Sequence, residues 1–426
     1  METSQTWIAN VEILNAQLAK ESWYNTFWAK FSGNVDISTA ENGNTVYTPS
    51  GQPINMMKSF IQEGRDNMLI PFLSALSGSP VYGDTVLKGT GEDQSMKWLR
   101  TFVNQFRKAV MKRSGQMSEQ RQKMFKLYEA AKPQLSEWFT KWENQAIFQT
   151  FYEGVSPNLS TGTNSDGLGL IKRYNPNWYG LISDVITPLG SASTTKTSTH
   201  LSTVLGMTAA ADATVDSDIT AASLHGLRVK CMELRIPQMT TKSGHPFWCL
   251  ILHPQQASTL MQDGNYRSAV QAAYTGKMLD EPELIGAVGY FAGFAIYEDI
   301  VGIREWDESG YFFGSTVSAR FDPTAVTLAS GAARVYNAIV FGKNAVGKGV
   351  ARDLHFTNEI DDHENTIEVG GAVINGYQRN EYFAEGDATT GTGDAFYRGS
   401  AAGTYTALAL AAENTSSLIF ATREAT

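Results

Sequence analysis

The sequence predicts an α+β chain, with mixed sheets organised around one dominant helix. Three observations carry that prediction. A helical apolar stripe from Ser118 to Tyr152 is far longer than a usual helix. Short apolar runs such as Phe247–Leu252 recur after it at strand length. No repeat of the solenoid or propeller kind interrupts the pattern.

Taken in order, residues 1–31 read as helical, since Trp7, Val11, Leu14 and Leu18 share one helical face. Trp23, Tyr24, Phe27, Trp28 and Phe31 then crowd together and must bury against something. That can be the chain's own core, or a neighbour gripped by an N-terminal arm. Residues 32–60, rich in Gly, Asn, Ser and Thr, read as irregular connection.

From Met68 to Leu76 an apolar run contains Pro71, which confines it to a sheet edge. Glycines at 78, 83, 89 and 91 follow, and Met96–Phe106 alternates roughly. These read as two strands joined by a long glycine-punctuated extension. Such a ribbon has too few apolar positions for a core of its own, and two strands alone are marginal in water. It is expected to lie on another subunit.

Ser118 is suited to cap the long helix and Glu119 to its positive end. Met124, Tyr128, Leu135, Trp138 and Trp142 mark the stripe, Pro133 predicts a kink or break, and Gly154 with Pro157 a stop. A helix of about 35 residues would span about 50 Å. Residues 155–215 read as a polar surface insertion. Asp218 is placed to cap a helix through Leu224 and Leu227, and Phe247–His253 reads as a buried strand feeding a helix at Pro254. Strands are expected at Ala295–Tyr297, Val335–Phe341, Thr366–Ile374 and Ser417–Ala421, the last inside a Gly-, Thr- and Ala-rich tail.

The charge balance of −9 over 426 residues excludes a dedicated nucleic-acid binder, which needs clustered Lys and Arg. Cys231 and Cys249, both in strand-like runs, make no disulfide framework and read as small buried hydrophobes. No apolar run approaches the roughly 20 residues that span a bilayer, and no secretion signal is apparent.

The most tempting chemistry is Gly342-Lys343-Asn344-Ala345-Val346-Gly347-Lys348-Gly349, which matches a phosphate-binding loop as far as its lysine. Gly349 then replaces the Ser or Thr that holds magnesium, so the segment reads as a glycine-rich surface turn. Asp361, Asp362, His363 and Glu364 read as a solvated turn, because alternate residues of an extended chain face opposite ways. The remaining histidines lack zinc spacing, and His253 reads as structural. No catalytic, cofactor-binding or metal-ligating residue is predicted, and no cofactor.

Five segments, in matching order over about residues 60–380, resemble phage major capsid proteins of the podovirus type with a large virion-packaged RNA polymerase. They are Leu76-Ser77-Gly78 with Val81 to Gly89; Asn104 to Val110; Leu252-His253-Pro254-Gln255-Gln256 with Leu260; Gly286 to Gly293 leading into Ile296-Tyr297-Glu298; and Val340 to Ala345. The polar stretch 185–217 and the tail after 385 depart from that pattern.

The resemblance implies a Hong Kong 97-like capsid fold. Its parts would be an N-terminal arm (1–66), an extended loop (67–110), and a peripheral domain with the spine helix and polar insertion (111–240). An axial domain with return strands (241–380) and a C-terminal segment (381–426) would follow. The implied function is self-assembly into pentamers and hexamers of an icosahedral shell around double-stranded DNA. The expected partners are further copies of the chain, scaffolding, portal and decoration proteins, and DNA held non-specifically, with no membrane. The expected location is the virion, after assembly in the host bacterial cytoplasm. The inter-subunit contacts expected are Trp23, Phe27 and Trp28 in the arm, and Val81, Tyr82, Gly83, Val86, Leu87 and Gly89 in the loop. The alternatives are an encapsulin-like non-viral shell, or a nucleotide-binding enzyme using Gly347-Lys348.

Overall fold

After Pro246, every residue of the strand Pro246–Leu252 is buried, and the architecture explains why. A strand covered on both faces reads as a continuous apolar run instead of an alternating one. The computed structural model describes residues 26–39, 45–48, 50–58, 67–73, 82, 96–112, 127–159, 175, 177–180, 218–275, 286–300, 302–306, 334–361, 366–383, 412–414 and 416–424.

Pro246–Leu252 runs parallel to Phe294–Glu298 and antiparallel to Arg334–Phe341, which pairs in turn with Ser417–Glu424. Gly289–Phe291 and Trp178–Gly180 close the two ends of this eight-stranded sheet. Alternate residues feed different cores. Phe247, Cys249, Ile251, Tyr297, Ile339 and Ile419 face one cluster, which also holds Ile147, Phe148 and Phe151 of the long helix. Trp248, Leu250, Leu252, Ile296, Val340 and Phe420 face another, shared with Leu224, Leu227, Leu260 and Tyr266. The sheet is thus a wall between two helical layers. The strands expected at 295–297, 335–341, 366–374 and 417–421 are all present, each somewhat longer.

On the second face lie helices Ala221–Glu233, Pro254–Gln262 and Gly264–Thr275. The first is capped by Thr220, not Asp218: the Thr220 side chain accepts from the Ser223 amide, and Ser223 reciprocates. A cap must stand directly before the first helical residue, and Asp218 lies too far upstream. Cys231 belongs to this helix and not to a strand. His253 caps the next, its Nδ1 accepting from the Gln255 amide at 3.1 Å, with Pro254 in the first turn as expected.

A second sheet has the order Ser32–Asn34, Ile54–Met57, Val346–Asp361, Thr366–Arg379, Asn104–Lys112. The segment expected to be irregular, 32–60, therefore contains strands; two of them join this sheet and two more, Asp36–Thr39 and Thr45–Thr48, pair together. They are too short to show alternation, and Ile54–Met57 takes its register from Val346–Gly349, far along the chain.

The long helix lies against the hairpin formed by Val346–Asp361 and Thr366–Arg379, packing Leu135 and Phe139 on Leu354, Phe356, Val369 and Val373. It is described over Leu127–Glu153, 27 residues or about 40 Å. Ser118 and Glu119 lie outside the described residues. Pro133 does not break it: the proline sits exposed, and the buried stripe from Leu135 onward holds the helix to the sheet. Gly154 ends it at φ +80°, as its position predicted.

The polar region after the helix is not wholly a surface insertion. Val155, Leu159 and Asn175 are buried, and Trp178–Gly180 is a strand of the first sheet. Residues 160–174 and 181–217 lie outside the described residues.

Candidate assembly surfaces and a buried polar lock

The ribbon Asn67–Leu73 with Met96–Phe102 forms a two-stranded sheet of its own, Pro71 opposite Trp98. At its base Phe102 packs with Val155 and Leu159. Between the strands Tyr82 is 79% exposed, the largest exposure among the big apolar side chains described. Val81, Gly83, Val86, Leu87 and Gly89 lie outside the described residues.

The described part of the aromatic segment packs on the chain's own core. Phe27–Phe31 forms a single 3-10 turn, and Trp28 is wholly buried in its own chain. Its ring stands 4.8 Å from Phe148, 5.3 Å from Phe151 and 5.4 Å from Phe341. Phe27 packs 5.9 Å from Tyr297, and the Lys30 ammonium lies 4.0 Å over that same ring. Trp28 therefore docks on the chain's own core and has no surface left for a neighbour. Trp23 lies outside the described residues.

Other exposed apolar side chains escaped the sequence reading: Val229, Met232 and Ile300. Val229 and Met232 sit three apart on the helix face opposite Leu224, Leu227 and Cys231, so they share a patch. The legible signal was two apolar residues off the buried stripe.

The segment resembling a phosphate-binding loop is a turn only at its start and continues as a buried strand. Gly342–Ala345 turns between the two sheets, with Lys343 and Asn344 half-buried and Gly342 and Ala345 buried. Asn344 holds φ +56°, receives a 2.9 Å hydrogen bond from Asn55 Nδ2 at its side chain, and accepts from Asn380 at its carbonyl. A Cβ on Gly342 would stand 1.9 Å from the Pro237 carbonyl oxygen, so only glycine fits. Lys348, 5% exposed, is in a strand with its ammonium 3.8 Å from the Glu143 carboxylate and 5.3 Å from the Tyr377 ring. It faces the long helix and is not placed to meet a phosphate.

Around Glu143 the sequence has built a polar lock inside an aromatic setting. Asn375 Nδ2 donates to the carboxylate at 2.8 Å, and Trp142, the residue before Glu143, stacks on Phe106 at 3.9 Å. Burial pushes the Lys348 ammonium down, with Glu143 opposing that shift. Burial, then the Glu143 charge, pushes the Tyr377 phenol up. Both cysteines are free and buried, and burial raises both thiols, Cys231 to about 12.

Among the described residues, no group of three or more His, Cys, Asp and Glu is placed to hold a metal ion. Nor, among them, is any helix long and apolar enough to cross a membrane. Asp361 ends a strand of the hairpin, while Asp362, His363 and Glu364 lie outside the described residues.

Comparison with known proteins adds a family. The family described as "Phage capsid protein" matches residues 26–395. No curated protein matches in sequence. The capsid of Ralstonia phage GP4 is similar in structure, with TM-score 0.59 at 13% identity over 94% of this chain and 91% of that one. The cyanophage Pam1 capsid gives 0.55 at 15% identity, covering 93% and 92%. The acid-stable capsid of Helicobacter pylori bacteriophage KHP30 gives 0.53 at 10%, covering 93% and 91%.

Proposed function

The chain belongs to the phage capsid protein family, and from that premise we propose that its pentamers and hexamers close into an icosahedral shell around double-stranded DNA. The protein is a capsid shell protein with the α+β, Hong Kong 97-like fold of phage capsids, and its place is the virion.

The observation that carries the assembly reading is the ribbon Asn67–Leu73 with Met96–Phe102. It stands as a separate two-stranded sheet, and such a sheet is marginal unless another surface covers it. We read it as the extended loop laid on a neighbouring subunit, with Val81, Tyr82, Val86 and Leu87 seated there and Gly83 and Gly89 allowing its turns. Phe27 and Trp28 serve instead to dock the segment entering the fold, and Trp23 remains a contact of the arm before it. The arm (1–66), peripheral domain (111–240), axial domain (241–380) and C-terminal segment (381–426) complete the reading.

Scaffolding, portal and decoration proteins are the further partners of this reading, and assembly takes place in the host bacterial cytoplasm. DNA would be enclosed with little affinity, in keeping with a net charge of −9. The subunit turns over no substrate.

The test is negative-stain electron microscopy of the expressed chain, alone and with the scaffolding protein of its own phage. Shells, tubes or capsomer rings under either condition support the reading. A chain that stays monomeric in both overturns it.

A further inference from the structure

Three side chains of the buried lock are arranged for more than an ion pair. In the long hairpin Lys348 pairs with Tyr377 and Val350 with Asn375. Lys348 and Asn375 are therefore diagonal neighbours on one face, within reach of a long side chain. Glu143 meets both from the helix, accepting from Asn375 Nδ2 at 2.8 Å and standing 3.8 Å from Lys348 Nζ. Lys348, Glu143 and Asn375 are 5%, 7% and 1% exposed. Asn375 Oδ1 is buried with no hydrogen-bond partner.

Those features fit poorly with a purely structural role. A buried ion pair is weak evidence of stabilisation, because removing two charges from water offsets most of their attraction. A buried amide oxygen without a donor is a further cost. Amine, amide and carboxyl together in a water-poor site are the components of an amide exchange.

We propose that Lys348 and Asn375 become joined by an isopeptide bond within the chain, with Glu143 carrying the proton. The ammonium passes a proton to the Glu143 carboxylate, leaving a neutral amine and a carboxylic acid. Burial already pushes the lysine toward its neutral form. A half-turn of the Asn375 amide, soft about its terminal torsion, brings Oδ1 to the acid, which donates to it and polarises Cγ. The Nζ lone pair attacks Cγ, forming the new C–N bond. The amine's surplus proton moves by way of Glu143 to Nδ2, the Cγ–Nδ2 bond breaks, and ammonia leaves. One amine and one primary amide give one secondary amide and one ammonia, with no redox partner. The reaction occurs once per chain and needs only the folded hairpin and helix, so it stands independently of the capsid reading.

The test is the denatured intact mass of the full, folded wild-type chain, followed by tandem mass spectrometry of its digest. The expected result is a mass lower than the sequence by one ammonia, with a linked peptide pair containing Lys348 and Asn375. Asn375 precedes Gly376, and closure of that asparagine on its own backbone amide would lose the same ammonia. The linked pair therefore decides. In Glu143→Gln the linked pair should disappear while the Asn375–Gly376 closure does not. A folded wild-type chain of full sequence mass, or one whose lost ammonia maps to Asn375 alone, overturns the proposal.

Discussion

Arg379 donates its guanidinium Nη1 to the carbonyl oxygen of Phe151 at 2.6 Å, tying the end of the long hairpin to the end of the long helix. That carbonyl belongs to the last turn, where helical partners run out. Asn175 supplies the rest: its Nδ2 donates to the same oxygen at 3.2 Å, and its amide to Tyr152 at 3.1 Å. A cation there also complements the helix dipole. Arg379→Met is expected to cost about 2–3 kcal/mol, since a charge-assisted bond is lost and a buried carbonyl keeps a weaker donor. The urea midpoint of the unassembled subunit measures it.

Two glycines should respond to alanine for different reasons. At Gly342 a Cβ would lie 1.9 Å from the Pro237 carbonyl oxygen, which is backbone and cannot rotate away. Gly342→Ala is expected to cost about 3 kcal/mol or more and to lower the soluble yield sharply. At Gly244, with φ +85°, the added Cβ meets nothing within 4 Å. Gly244→Ala should therefore cost only the left-handed strain, about 1 kcal/mol. Thermal midpoints of the two variants should separate clearly.

Stability should fall on the alkaline side. Burial raises the thiols of Cys231 and Cys249 and the phenols of Tyr297 and Tyr377. Each group holds its proton more tightly folded than unfolded, so its contribution is complete below the unfolded value and is lost as pH rises toward the folded one. For Cys231 the window runs from 9.0 to about 12. Within it one thiol changes stability by about 1.4 kcal/mol per pH unit. Denaturant midpoints at pH 8, 9 and 10 should decline above 9, less steeply in Cys231→Ala.

What could be read from the sequence follows from how local each signal is. Phe247–Leu252, Pro254 and Gly154 each declared their structure within a few residues, and the long stripe fixed the helix that covers the hairpin. Ile54–Met57 could not be read, because its partner Val346–Gly349 is distant and its four residues carry no period. The sequence puts the cap at Asp218 and misses Thr220, because both residue types cap well and only the true helix start separates them. Lys348 matches the spacing of a phosphate-binding loop, a match that Gly349 already spoils; spacing cannot show that Glu143 lies beside the lysine. Trp28 left two burial sites open, and only the proximity of Phe148, Phe151 and Phe341 chooses between them.

That choice gives the sharpest contrast between folding and assembly. Trp28 is wholly buried within its own chain, so Trp28→Ala should destabilise the isolated subunit by about 3–5 kcal/mol. Tyr82, 79% exposed, has little of its side chain to lose from the subunit. Tyr82→Ser should therefore leave the subunit's unfolding midpoint within about 0.5 kcal/mol of the parent. If the ribbon lies on a neighbour, the same change removes a buried aromatic from every copy of a repeated interface, so a small loss per contact multiplies around the shell. Sedimentation under assembly conditions should then show Tyr82→Ser as unassembled subunits while its unfolding curve overlays the parent's. Full shell yield from Tyr82→Ser would remove Tyr82 from the interface, and a lowered unfolding midpoint would return the ribbon to the subunit's own fold.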